Sequence, residues 1–106
     1  MKIFKELSKK GYKHYYEGTV EELDSMNKDN QYLHLEIMQV IMWLYEKHEI
    51  WINVIPYNDE ELSQTLWENT IIHISDNYND CSDYTFYHSP TEAYETAIEY
   101  TLTKLI

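Results

Sequence analysis

The stretch QYLHLEIMQVIMWLYEKHEIWINVIP, residues 31–56, changes its hydrophobic period partway along, and that change decides the fold. In its first part Leu33, Ile37, Val40, Ile41 and Leu44 recur at intervals of three and four, the period of one face of an α-helix. This spacing predicts a helix over 31–47. Leu35, Met38, Met42 and Tyr45 widen the apolar surface well past a single stripe, so the helix is expected to lie largely buried. Asp29 or Asn30 supplies an oxygen for its first free amides, and Lys47 and His48 set positive charge at its carbonyl end. Ile50, Trp51, Ile52, Val54 and Ile55 then form a β-branched and aromatic run, which predicts a strand ended by Pro56.

Upstream, Ile3, Phe4 and Leu7 recur at helical spacing and Gly11 can take the left-handed position that closes a helix, so residues 2–10 are read as a short helix. Residues 12–17 are rich in aromatics and are expected to be extended. Gly18 turns the chain, and Thr19 with Glu22 forms a capping box for a second short helix through Met26.

Downstream, residues 57–64 are polar and acidic and read as a connection, and residues 66–75 alternate as a second strand with Glu68, Thr70, Ile72 and Ile74 on one side. Residues 76–80 carry turn chemistry, and Asp83 to His88, with Tyr84, Phe86 and Tyr87, predicts a short third strand. Ser89-Pro90-Thr91-Glu92 is a helix start, and the helix is expected to continue from Pro90 through Ile106. Tyr94, Ile98, Thr101 and Leu105 form its buried stripe, while Glu92, Glu95 and Glu99 line a solvated face. Together these elements predict an α+β fold: a small three-stranded antiparallel sheet with two long helices packed on one face, plus short N-terminal helices, in a single domain over residues 1–106.

Composition narrows the classes of function. A chain of 106 residues, 43% hydrophobic with three Trp and eleven Tyr, can bury one core without disulfides or metal. Cys81 is its only cysteine, which excludes an internal disulfide and zinc sites that need paired thiolates. No stretch approaches the about 18 apolar residues of a membrane span, and the amino end MKIFKELSKK carries charge every few residues. A cytoplasmic protein with no membrane partner is expected. The net charge is −11 and every basic side chain is lysine, which disfavours direct nucleic-acid binding. The charge is uneven: five lysines face one Glu6 over residues 1–14, and one lysine faces ten acids over residues 54–106.

Two segments carry a likeness: WLYEKHEIWINV (43–54), and YHSPTEAY (87–94) running on to Leu105 and Ile106. They resemble a group of short uncharacterised proteins in phages and prophages of gut Bacteroidetes, in which a Trp-Leu helix end leads into a strand and a Ser/Thr-x-x-Glu-Ala helix follows. The resemblance covers residues 40–56 and 84–106 and consists of helix caps and core positions. It implies a mobile-element origin and an accessory role, with no activity and no catalytic residues.

The residues that could carry chemistry do not assemble into a motif. Cys81 could pair with His73 or His88 and with Asp76 as an activated thiol, but it lies in a turn with no nucleophile signature. His73 and His88 with Asp76 or Asp83 lack metal-ligand spacing, and the two glycines, Gly11 and Gly18, build no phosphate-binding loop. Pairs such as Glu21-Glu22 and Glu60-Glu61 sit in polar runs and read as solvated faces. Tyr12, Tyr15 and Tyr16 beside Lys13 could stack bases, although packing over the core is the simpler reading. A non-enzymatic protein is therefore expected, with no catalytic residue, cofactor or metal.

The leading expectation is a protein–protein binder that sets an acidic surface against a basic protein partner, as an inhibitor or DNA mimic aimed at a host nuclease or defence complex would. Carboxylates spaced along a rigid face can imitate a phosphate backbone. The candidate residues are Asp59, Glu60, Glu61, Asp76, Asp80 and Asp83, in two loops at strand ends. The alternatives are a homo-oligomeric assembly protein, joined through a sheet edge or the apolar surface of residues 31–47, and a small enzyme.

Overall fold

Side-chain oxygens set where three of the helices begin. Thr19 and Glu22 form the full capping box, the Thr19 hydroxyl accepting from the Glu22 amide at 3.2 Å. Asn30 accepts from the Tyr32 amide at 2.8 Å, and Ser89 accepts from the Glu92 amide at 3.2 Å with Pro90 just inside. The computed structural model describes residues 1–80 and 85–106. Its elements run α1 (Ile3–Lys9), α2 (Val20–Ser25), α3 (Gln31–His48), β1 (Ile50–Asp59), β2 (Gln64–His73), β3 (Tyr78–Asp80) and α4 (Pro90–Tyr100), which continues as a π-helical stretch over Thr101–Leu105. Gly11, at φ 100°, ends the first helix in the left-handed conformation that favours glycine.

The three strands form an antiparallel meander in the order β1-β2-β3, which with the helices makes the α+β fold. Register sets Ile52 against Ile71, Ile50 against His73 and Pro56 against Trp67. Ile50, Ile52, Asn69 and Ile71 share one sheet face and are buried, whereas Asn53 and Ile55 on the other face are exposed. α3 packs against β1, and α4 packs against both β1 and β2. One core joins Phe4, Leu7, Leu23, Leu33, Ile37, Leu44, Ile52, Ile71 and Ile98, drawing on both short helices, both long ones and the two long strands. Asn69 is the polar member of this layer, and its side-chain amide donates to the Ala93 carbonyl at 3.0 Å, tying β2 to α4.

Four expectations are corrected. The expectation that α3 lies largely buried fails for one of its faces: Leu35, Met38, Met42 and Tyr45 are exposed, because only the side bearing Leu33, Ile37, Val40, Ile41 and Leu44 meets the core. β1 does not end at Pro56 but runs through it to Asp59, since β1 is the edge of the sheet and a missing amide on its outer side breaks no ladder. The turn after β2 is shorter than its Asn/Asp-rich sequence suggests: Asn77 takes the left-handed conformation, and Tyr78 already pairs with His73, so the third strand is at 78–80. Of the expected strand 83–88, Asp83 and Tyr84 lie outside the described residues, and Tyr87 makes an isolated bridge to Trp67. Finally, the last helix is not α-helical to its end. Thr101 and Thr103 turn their hydroxyls back to the carbonyls of Ala97 and Glu99, and over Thr101–Leu105 the helix widens to π form.

Candidate protein-binding surface

Glu36 organises the surface beside α3. Its residue is 2% exposed, yet it sits on the same side of the helix as Leu33 and Val40. A buried carboxylate needs donors on both oxygens. The donors come from residues 12–16: the Tyr12 hydroxyl, the Tyr15 amide at 3.0 Å and the Tyr16 amide at 2.7 Å. Burial, reinforced by the Glu36 carboxylate against its hydroxyl, pushes Tyr12 well above the ordinary tyrosine range.

Two ring contacts fix the direction of this segment. Tyr12 meets Trp43 edge-on with ring centroids 5.5 Å apart, and Tyr16 meets Tyr32 at 5.9 Å. Residues 12–17 therefore run antiparallel alongside α3, from its carboxyl end toward its amino end. The expected extended segment is present as an irregular one, without strand pairing. His14 holds the turn at its far end, with its Nε2 2.8 Å from the Gly18 carbonyl oxygen.

Between this segment and α3 lies an open groove. Its middle, about 290 Å³, is lined by Tyr15, Tyr16, Tyr32, Leu35, Glu36 and Gln39. Toward the carboxyl end of α3 it continues past Lys13, Met42, Trp43, Glu46 and Lys47, and toward the amino end it reaches Glu17 beside Tyr32. The outer face of α3 is apolar: Tyr32 is 56% exposed, Leu35 65%, Met38 42%, Met42 44% and Tyr45 46%. These large side chains gather on one helix face and are not scattered singly over the surface. At the carboxyl end, burial and the nearby Lys10 ammonium hold the His48 imidazole below its ordinary range.

The acidic residues expected to bind a partner fall into two groups. Asp59 ends β1, and Glu60 and Glu61 occupy the exposed β1–β2 hairpin, where the Asp59 carboxylate accepts from the Leu62 amide at 3.1 Å. Asp76 lies in the β2–β3 turn and Asp80 in β3, where the Asp80 carboxylate accepts from the hydroxyls of Tyr78 at 3.3 Å and Tyr100 at 3.0 Å. The ten residues of β2 separate the groups by roughly 30 Å, at about 3.3 Å per residue. Asp83, like Cys81, lies outside the described residues.

The histidines form no site with the acids. His73 stacks on Tyr78 with centroids 4.4 Å apart, and its Nε2 is buried without a hydrogen-bond partner among the described residues. Among the described residues no three His, Cys, Asp or Glu side chains converge in a way that could hold a metal ion, and no helix is long and apolar enough to cross a membrane. Comparison of the chain with protein-family models, with curated proteins and with solved structures finds no match.

Sequence reasoning missed Glu36 and the groove. The signal for Glu36 was a lone acid on the apolar stripe between Leu33 and Val40, a position where a solvated carboxylate has no place. The outer stripe is legible in the sequence as apolar, but its exposure is not.

Proposed function

We propose that this protein acts by protein–protein contact and not by catalysis, through the outer face of α3 and the groove that residues 12–17 build beside it. The observation that carries the reading is the run of five large apolar or aromatic side chains left exposed on one face of a helix whose other face fills the core. Tyr and Met are suited to such a surface, Tyr because it presents a large rigid ring with a polar tip, Met because it adapts to irregular contacts. The likeness to phage accessory proteins supports a binding role of this kind.

A second reading, charge mimicry against a basic surface of a host nuclease or defence complex, has its own supporting observation. Besides the two acidic loops, α4 presents Glu92, Glu95 and Glu99 along a depression it shares with Asp24. Lys28, which also lines this depression, is engaged by Glu95 at 2.7 Å.

One experiment separates the two. A photo-crosslinking residue is placed at Met38 in one variant and at Glu60 in another, and both are irradiated in cells. Protein adducts at Met38 that persist in high salt are expected. Adducts confined to Glu60 and lost in high salt would transfer the function to the acidic surface.

A further inference from the structure

Resting on the reading of the α3 face as a binding surface, we propose that the middle of the groove beside it is a cage for one cationic group, the trimethylated ammonium of a lysine side chain on the partner protein. The walls come first. Tyr16 and Tyr32 meet with ring centroids 5.9 Å apart and planes inclined at 51°, which makes a corner of two aromatic rings, and Tyr15 lines the same space. The cavity, about 290 Å³, lies just below the roughly 300–1,000 Å³ of ordinary small-ligand pockets, so it has room for a head group and not for a large molecule. Aromatic faces carry a negative quadrupole and attract cations, most strongly where water is displaced.

Charge is the second argument. Glu36 contributes to the lining, and its donors, the Tyr12 hydroxyl and the Tyr15 and Tyr16 amides, are all neutral. They satisfy the carboxylate without cancelling its charge, and among the described residues no lysine pairs with it. Glu17 lines the adjoining opening of the groove, and Glu22 accepts from the Tyr16 hydroxyl at 3.1 Å. Three carboxylates thus lie about the tyrosine rings, whereas Lys13 belongs to the part of the groove beside the carboxyl end of α3. The field at the cage favours a cation.

Hydrogen bonding narrows the kind of cation. A lysine ammonium or an arginine guanidinium brings several N–H donors, each of which needs an acceptor once it leaves water. Both Glu36 oxygens are taken: Oε1 accepts from the amides of Tyr15 at 3.0 Å and Tyr16 at 2.7 Å, and Oε2 from the Tyr12 hydroxyl and the shared Tyr15 amide. Glu22 is engaged in its capping box, which leaves the Gln39 amide oxygen in the lining. A trimethylammonium has no N–H to satisfy and needs only the ring faces and the field. Its source follows from what adjoins the cage. Tyr32 and Leu35 belong both to the lining and to the exposed face of α3, so a protein lying on that face reaches the cage with one side chain. A phosphocholine would carry its phosphate toward Glu17 and Glu22, whereas a lysine stem brings no negative charge with it.

The test is an NMR titration of the isotope-labelled full chain, at one ionic strength, with four probes: N-acetyl trimethyllysine amide, its unmodified lysine counterpart, a neutral analogue with a tert-butyl group in place of the trimethylammonium, and phosphocholine. The trimethyllysine probe is expected to shift the amides of Tyr15, Tyr16, Leu35 and Gln39 with a Kd of about 1 mM. The other three should bind about tenfold more weakly or less. Tyr32→Leu alters an exposed position, so it should keep the helical circular dichroism while weakening binding about tenfold, and Tyr32→Phe, which retains the ring, should bind like wild type. Equal binding of the unmodified or the neutral probe, or folded Tyr32→Leu protein that binds like wild type, overturns the cage. Phosphocholine bound more tightly than trimethyllysine overturns the assignment to a protein side chain. No response to trimethyllysine, with Met38 still crosslinking to protein in cells, overturns the cage and leaves the binding face standing. A response at the cage without protein adducts at Met38 overturns the partner instead, because the face on which that partner lies would be bare.

Discussion

Residues 12–17 and the β1–β2 hairpin are both connections at the surface, yet they are held in opposite ways. The hairpin has regular structure, a ten-residue ladder from Ile50↔His73 to Asp59↔Gln64, but no residue of its outer half is fully buried, and Ile55, Tyr57 and Leu62 are exposed. Residues 12–17 form no helix or strand, yet they are pinned to α3 by three donors on one buried carboxylate and by ring contacts at both ends. Regular secondary structure is thus a poor guide to where this chain is rigid. What fixes a segment is whether its polar groups are satisfied inside the protein or by water.

The largest effect is expected at Glu36. Glu36→Ala leaves the Tyr12 hydroxyl and the Tyr15 and Tyr16 amides without their acceptor, and should cost about 3 kcal/mol in urea unfolding. A loss no larger than that of a surface substitution would break the comparison outright.

Alkaline titration sharpens it. Tyr12 holds its phenolic proton more tightly when folded than when unfolded, so its contribution is complete below the unfolded value of about 10 and is lost as the pH rises beyond that. Wild-type stability should therefore fall steeply above about pH 10. Tyr12→Phe should be less stable at neutral pH but should show a shallower alkaline slope, with the remaining slope coming from other tyrosines such as Tyr94, which burial also pushes up. Equal slopes in the two proteins would place the Tyr12 hydroxyl in solvent.

The smallest effect belongs to the hairpin. Leu62→Ser should change unfolding free energy by no more than about 0.5 kcal/mol, because the side chain is 61% exposed. A cost approaching that of Glu36→Ala would mean that the hairpin is packed against something in solution.

How much of this was readable in the amino-acid sequence depended on the range of the interactions. The caps at Thr19, Asn30 and Ser89 involve partners two or three residues away, and the sequence shows them directly. The third strand was displaced because Tyr78, Asn79 and Asp80 have local turn chemistry, and only pairing with residues 71–73 makes them a strand. Glu36 was illegible for the same reason, its donors lying 20 to 24 residues away. On α3 periodicity counted the apolar positions correctly, but two stripes compete on one cylinder, and only the placement of β1 and the other helices decides which faces inward. Of the acidic candidates, Glu60, Glu61 and Asp76 lie in turns at strand ends as their polar surroundings suggest, whereas pairing across the sheet takes Asp59 into β1 and Asp80 into β3.

Pro56 in the middle of β1 has a bearing on how this protein avoids uncontrolled association. β1 is a long edge strand with a hydrophobic sequence, the kind of template on which further strands add to build fibrils. An incoming strand would find no amide at Pro56, so a continuous ladder could not form across the ten residues of the edge. Strand addition that would otherwise be open-ended is thereby interrupted at its first step, although the sheet margin is left open.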